Sequence, residues 1–117
     1  MCRNQTGFRG MIVEERIYTL HPGKVPEYMR LYEDEGFAIQ APILGNLLGW
    51  YYTDFGPQNQ IVHMWGYASY VERDRRRAEL GKSPAWQSFL PKILPLILKQ
   101  ENKILLPAPW SPQPKEQ

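Results

Sequence analysis

The chain is poor in the residues that build covalent and metal-held scaffolds. It has one cysteine, Cys2, and two histidines, His21 and His63, in 117 residues. A lone cysteine rules out an intramolecular disulfide and a cysteine-based zinc cluster. It fits a reducing compartment, so the expected location is cytoplasmic. His21 lies in a turn sequence, so no histidine-based metal site is expected. Charge of one sign is also scarce. Fourteen Lys and Arg against twelve Asp and Glu give +2, too little to point to a nucleic-acid or membrane partner. The longest apolar stretch, Ile93 to Leu98, is six residues with a proline inside it, far below the roughly 18 that span a bilayer. There is no glycine-rich phosphate loop, Walker motif or nucleophile elbow, so no cofactor is called for.

What is present suffices for one ordinary core. The composition is 43% hydrophobic and 22% charged, and the length matches a single domain. Met1–Gly10 is polar and reads as a flexible N-terminal extension. Residues 11–109 form the expected domain, and 110–117 a flexible C-terminal tail that continues the proline-rich end.

Turn residues divide the domain. IVEERIYTL, Ile12 to Leu20, is rich in β-branched residues and reads as a strand, ended by His21-Pro22-Gly23. Val25, Met29, Tyr32, Gly36, Ile39 and Ile43 then recur in steps of four and three, the apolar stripe of a helix. Pro26 is tolerated in its first turn, and Pro42 and Gly45 mark its end. Leu47 to Phe55 and Ile61 to Tyr67 read as strands joined by a short link, hence an antiparallel hairpin. Ser69 with Glu72 is a capping-box pattern for a polar helix, Tyr70–Leu80. Ser83 and Pro84 open another helix, whose apolar set is Trp86, Phe89, Leu90, Ile93, Leu94 and Ile97. Pro91 and Pro95 are expected to break it into two pieces. Lys103 to Leu106 is a short last strand. The order β-α-β-β-α-β is the ferredoxin-like split βαβ arrangement, an α+β fold with an antiparallel sheet.

Side chains alternate across a strand, so parity sorts the sheet faces. Glu14, Arg16 and Tyr18 share one face of the first strand. His63, Trp65 and Tyr67 share one face of the third. The smaller apolar set, Val13, Ile17, Val62 and Met64, is expected beneath the helices. That leaves the two triads side by side on the uncovered face, where bulky aromatics call for a partner such as a second copy of the chain.

These residues resemble a known family. Glu14-x-Arg16-x-Tyr18-Thr19-Leu20 with Pro22-Gly23 is similar to the opening signature of NIPSNAP proteins. Asn59-x-Ile61-Val62-His63-Met64-Trp65-x-Tyr67 looks like that family's central strand. The Trp86 region and Gln100-Glu101-Asn102 also fit. The likeness spans Met11 to about Pro109. It implies a dimeric α+β barrel, in which two ferredoxin-like sheets close around a cavity. It brings no settled reaction, and only superfamily analogy suggests cofactor-free oxygenase or isomerase chemistry.

The candidate site therefore consists of His63, Arg16 and Glu14, with Tyr18, Trp65, Tyr67, Trp50 and Tyr52 as ligand-binding residues. His63 is a general base or donor, or else a hydrogen-bonded core histidine. Arg16 and Glu14 anchor a carboxylate or carbonyl, or else pair with each other. The aromatics line a pocket for a small hydrophobic or aromatic ligand, or else pack a homodimer interface. Trp50 and Tyr52 share a parity that widens the same pocket. The run Arg73-Asp74-Arg75-Arg76-Arg77 invites a phosphate or nucleic-acid reading. Glu72 with Arg76 and Arg75 with Glu79 are four-apart pairs, however, and explain most of it as a solvated helix face. Two functions of different class follow: a homodimer with a small-molecule pocket inside the barrel, or a non-catalytic homodimer whose aromatic face is only an interface.

Overall fold

The computed structural model describes residues 11–112; the extension expected at 1–10 and the end of the expected tail lie outside them. Strand β1, Ile12–Leu20, has the expected bounds. Helix α1, Val25–Leu31, begins with Pro26 in its first turn. It runs through a π-helical segment, Tyr32–Gly36, into α2, Phe37–Leu44. Strands β2, Asn46–Tyr52, and β3, Gln60–Tyr67, form the expected antiparallel hairpin. Helices α3, Tyr70–Lys82, and α4, Pro84–Ile93, are followed by a 3₁₀ turn, Leu94–Leu96, and β4, Ile97–Leu105. The sheet order is β2-β3-β1-β4, antiparallel throughout. This is the ferredoxin-like α+β fold, with β1 and β3 at its centre.

The caps behave as the sequence expects. Ser69 Oγ accepts from the Glu72 backbone N–H at 3.1 Å, and Ser83 Oγ accepts from that of Trp86 at 3.2 Å. Each satisfies one of the free donors of a helix start.

The first helical segment differs from its expected stripe. The residues it buries are Tyr28, Tyr32, Gly36, Gln40 and Leu44, every fourth position. On a regular α-helix a run of fours drifts about 40° per step. The wider π turn absorbs that drift and keeps these residues on one side.

The C-terminal third also departs from expectation. Pro91 does not break α4, which continues to Ile93 with the proline exposed. The chain turns only at Leu94–Leu96, and Ile97, expected on the helix, opens β4. That strand is nine residues long rather than the short Lys103–Leu106. Its polar stretch Lys99–Lys103 suits an edge strand, whose outer face is wet, and hides the strand from hydrophobic patterning. Strand β2 stops at Tyr52, short of the expected Phe55, which lies exposed in the link to β3.

The assignment of sheet faces is inverted. Tyr18, Trp65 and Tyr67 are buried in one core with Tyr28, Tyr32, Leu80, Trp86 and Phe89 of the helices. The helices therefore cover the face bearing Glu14, Arg16, Tyr18, His63, Trp65 and Tyr67. The uncovered face carries Val13, Ile17, Val62 and Met64, each only partly buried. The aromatic triad is thus core, not an interface. Large rings fill the thick layer between sheet and helices better than small branched side chains do.

Candidate functional site

Parity grouped the residues correctly, and the register brings them together. Glu14 lies opposite Trp65 and Arg16 opposite His63 across β1 and β3. Arg16 lies opposite Asn102 on β4, and Trp50 opposite His63 on β2.

Glu14 is fully buried, at 0% exposure, and its carboxylate is saturated. Its Oε2 accepts from Arg16 Nη1 at 2.9 Å, Arg73 Nη2 at 2.8 Å and Asn102 Nδ2 at 2.7 Å, while Oε1 accepts from Arg73 Nε at 3.2 Å. Burial alone would raise its pKa. The hydrogen bonds from Arg73 and Asn102 and the charges of Arg16 and Arg73 outweigh that and hold it at about 2. Glu14 is therefore an anion that knits β1, β4 and α3 together. Arg16 donates to Glu14 and, through Nε, to Tyr18 Oη at 2.8 Å, so its fork is largely committed.

His63 is buried in an aromatic box. Trp50 stacks on it at 5.1 Å, and Tyr18 meets it edge-on at 5.0 Å. Trp65 Nε1 donates to its Nδ1 at 2.7 Å. Burial, reinforced by the positive charges of Arg16 and Arg77, lowers its pKa to about 3, so the ring is neutral near pH 7. With Nδ1 accepting, the network assigns the proton to Nε2. That N–H is buried with no partner among the described residues.

Between this sheet face and α4 lies a cavity of about 220 Å³. Its polar side is formed by Arg16, Tyr18, His63, Arg77 and Gln100 together with Tyr28 and Gln40, and its largely apolar wall by Trp86, Leu90, Ile93 and Ile97. The exposed Leu94 and Gln100 mark its mouth. Of the eight residues expected at the site, Arg16, Tyr18 and His63 line this cavity. Glu14, Trp65 and Trp50 stand behind them as their partners. Tyr67 belongs to the core further along β3, and Tyr52 is exposed at the end of β2.

Arg77 is a cavity residue that sequence reasoning missed. Its charged run reads as a solvated helix face, and Arg75 is so placed, exposed and paired with Glu72 and Glu79. Arg76 pairs with Glu72 but is half-buried and donates through Nη1 to the Ile43 carbonyl of α2 at 3.1 Å. Arg73 and Arg77, four apart, instead face the sheet along with Leu80. The signal was a stripe at spacings of four and three ending on a buried leucine. Among the described residues no group of three His, Cys, Asp or Glu side chains is placed to hold a metal.

Comparison with known proteins agrees with this architecture. The family model described as NIPSNAP matches residues 13–112. The human protein NipSnap homolog 3A is 33% identical over 105 residues, which are 88% of this chain and 42% of that protein. The chain thus spans less than half the length of this relative. A solved NIPSNAP-like domain protein from Burkholderia xenovorans is 50% identical and superposes with a TM-score of 0.90 over 92% of this chain and 94% of its own. At the level of fold alone, a Caulobacter crescentus protein of the antibiotic biosynthesis monooxygenase type superposes with a TM-score of 0.62 at 16% identity, over 86% of this chain and 92% of its own. Family match, curated relative and solved structure concur, and the chain belongs to the NIPSNAP family.

Proposed function

We propose that the protein is a homodimer that binds a small molecule in the cavity between each sheet and its helices. The observation carrying the binding reading is the partnerless Nε2–H of His63 among the residues lining that cavity. A buried donor left without an acceptor costs about 1–3 kcal/mol, and a ligand oxygen would recover that. Binding is favoured over catalysis by the same geometry. Glu14 is saturated with hydrogen bonds and His63 offers a proton rather than a lone pair, so the expected catalytic trio acts as scaffold and donor. The monooxygenase name of the distant fold neighbour adds no reaction to this chain. The cytoplasmic location expected from cysteine usage stays part of this reading.

The dimer reading rests on the uncovered sheet face. Val13, Ile17, Val62 and Met64 lie there beside the exposed Tyr51, Leu105 and Leu106. Lys99, Glu101, Lys103 and Glu15 share the face and supply both charge signs. A patch that is apolar at its centre and mixed in charge at its edge is complementary to itself under a two-fold axis. Two such faces closing together would give a dimeric α+β barrel.

Native mass spectrometry tests both halves. A mass of twice 13.7 kDa is expected, falling to that of one chain in Ile17→Lys, with excess mass lost on denaturation where ligand is retained. A monomeric wild-type protein would overturn the dimer. A cavity filled by ordered water in a crystal structure of protein soaked with candidate ligands would overturn the binding site.

A further inference from the structure

The cavity's charge is unbalanced. Arg16 and Arg73 pair with Glu14, and Arg75 and Arg76 pair with Glu72. Arg77 has no carboxylate partner among the described residues, and its Nη1 is buried with no hydrogen bond. Burial and the like charge of Arg16 lower its pKa, opposed by Tyr18, Tyr67 and the Glu14 carboxylate, whose own hydrogen bonds go to Arg16, Arg73 and Asn102. A partly desolvated cation with no directly paired carboxylate is unfavourable and is found where something else supplies the charge. Two partnerless donors, Arg77 Nη1 and His63 Nε2, therefore belong to one cavity. The same cavity is lined by the largely apolar side chains of Trp86, Leu90 and Ile93.

Resting on the binding reading above, we propose that the ligand is a small organic carboxylate. Its headgroup is held by Arg77 and the His63 Nε2–H, and its apolar body lies against Trp86, Leu90 and Ile93. A carboxylate has two coplanar acceptor oxygens, which suit a guanidinium edge and one further N–H donor. Size narrows the class. An apolar cavity of about 150 Å³ accommodates benzene, so 220 Å³ admits a body about the size of benzoate or hexanoate. Arg16 contributes positive field, because its own hydrogen bonds go to Glu14 and Tyr18.

The test is calorimetric titration of the intact protein with benzoate and hexanoate, against the uncharged benzamide and hexanol. The acids are expected to bind at least tenfold more tightly than their neutral counterparts. In Arg77→Met that preference should disappear, whereas Arg75→Met, on the solvated side of α3, should keep it. Ligand-free Arg77→Met should melt no lower than wild type, because it removes a partly buried cation that has no paired carboxylate; a residue held there for structural reasons would lower the melting temperature instead. Equal binding of acids and neutral compounds, or acid binding indifferent to Arg77→Met, overturns the carboxylate assignment and leaves the pocket standing. Failure of all four compounds to bind overturns the assignment together with the pocket.

Discussion

Trp65 Nε1 donates to His63 Nδ1 at 2.7 Å, and this one bond decides what the imidazole offers its surroundings. Both residues lie on the same face of β3, two apart, so the strand itself sets the contact. The indole has a donor and no acceptor, which forces Nδ1 to be the unprotonated nitrogen. Nitrogen-15 NMR of the imidazole should show Nε2 protonated and Nδ1 bare from pH 5 to 8, conditions chosen around the ordinary histidine range of about 6.5. In Trp65→Phe the two tautomers should mix. A doubly protonated ring at pH 5 in the wild-type protein would contradict the assignment.

The same burial makes the fold sensitive to acid. His63 titrates at about 3 in the folded chain against 6.5 unfolded. Between those values the unfolded chain binds a proton that the native chain refuses. Stability is therefore fully present above pH 6.5 and falls as the pH drops toward 3, with a limiting slope of about 1.4 kcal/mol per pH unit. Glu14 adds a second loss in the same direction below 4.5, because its carboxylate is held at about 2. Urea denaturation across pH 4.5 to 7 isolates the histidine contribution, and His63→Gln should flatten the curve there. An unchanged slope in that variant would assign the sensitivity elsewhere.

Glu14→Gln should be among the most damaging single polar changes. The carboxylate sits at 0% exposure between the guanidinium groups of Arg16 and Arg73. Neutralising it leaves two cations facing each other in a partly buried site. Loss of one partner of a buried pair costs about 3–5 kcal/mol. The lower end is expected here, because a quarter of the Arg73 side chain is still exposed and can rehydrate. Adding Arg73→Met to Glu14→Gln should recover part of the loss, and a double-mutant cycle in urea measures the coupling.

Strand β1, the hairpin and both serine caps were legible because each is written in adjacent residues. The grouping of Glu14, Arg16 and Tyr18 with His63, Trp65 and Tyr67 was legible from period-two alternation. Which face the helices cover was not, because parity treats the two faces alike. The helix-covered face bears Glu14 rather than the small apolar set because Arg73 of α3 neutralises that carboxylate. Arg73, which does this, sits in a charged run that reads as one solvated face, although Arg76 and Arg77 are half-buried as well. Arg77 was hidden by the same run. Strand β4 was obscured by Lys99–Lys103, where an edge position makes alternation uninformative. The π segment was invisible for a different reason: Tyr32–Gly36 differs from an α-helix only in the width of one turn.

Two glycine substitutions should act with opposite sign. In a helix interior, Gly→Ala ordinarily stabilises by about 0.5–1 kcal/mol, because it restricts the unfolded chain. Gly81, in the last turn of α3 and without a positive φ, follows that rule in sign, since an added Cβ would meet nothing within 4 Å. Gly36 closes the π segment, and there an added Cβ would lie 2.6 Å from Tyr32 Cδ1 and 2.8 Å from the Phe89 ring. Phe89 is fixed in the core, at 1% exposure, so neither ring can withdraw without disturbing its neighbours. Overpacking of this kind costs about 1–3 kcal/mol. Thermal unfolding should therefore show Gly81→Ala melting above wild type and Gly36→Ala below it. If Gly36→Ala were neutral, the helix would not be pressed against Phe89, and the four-residue spacing that buries Tyr32, Gly36 and Gln40 would need another cause.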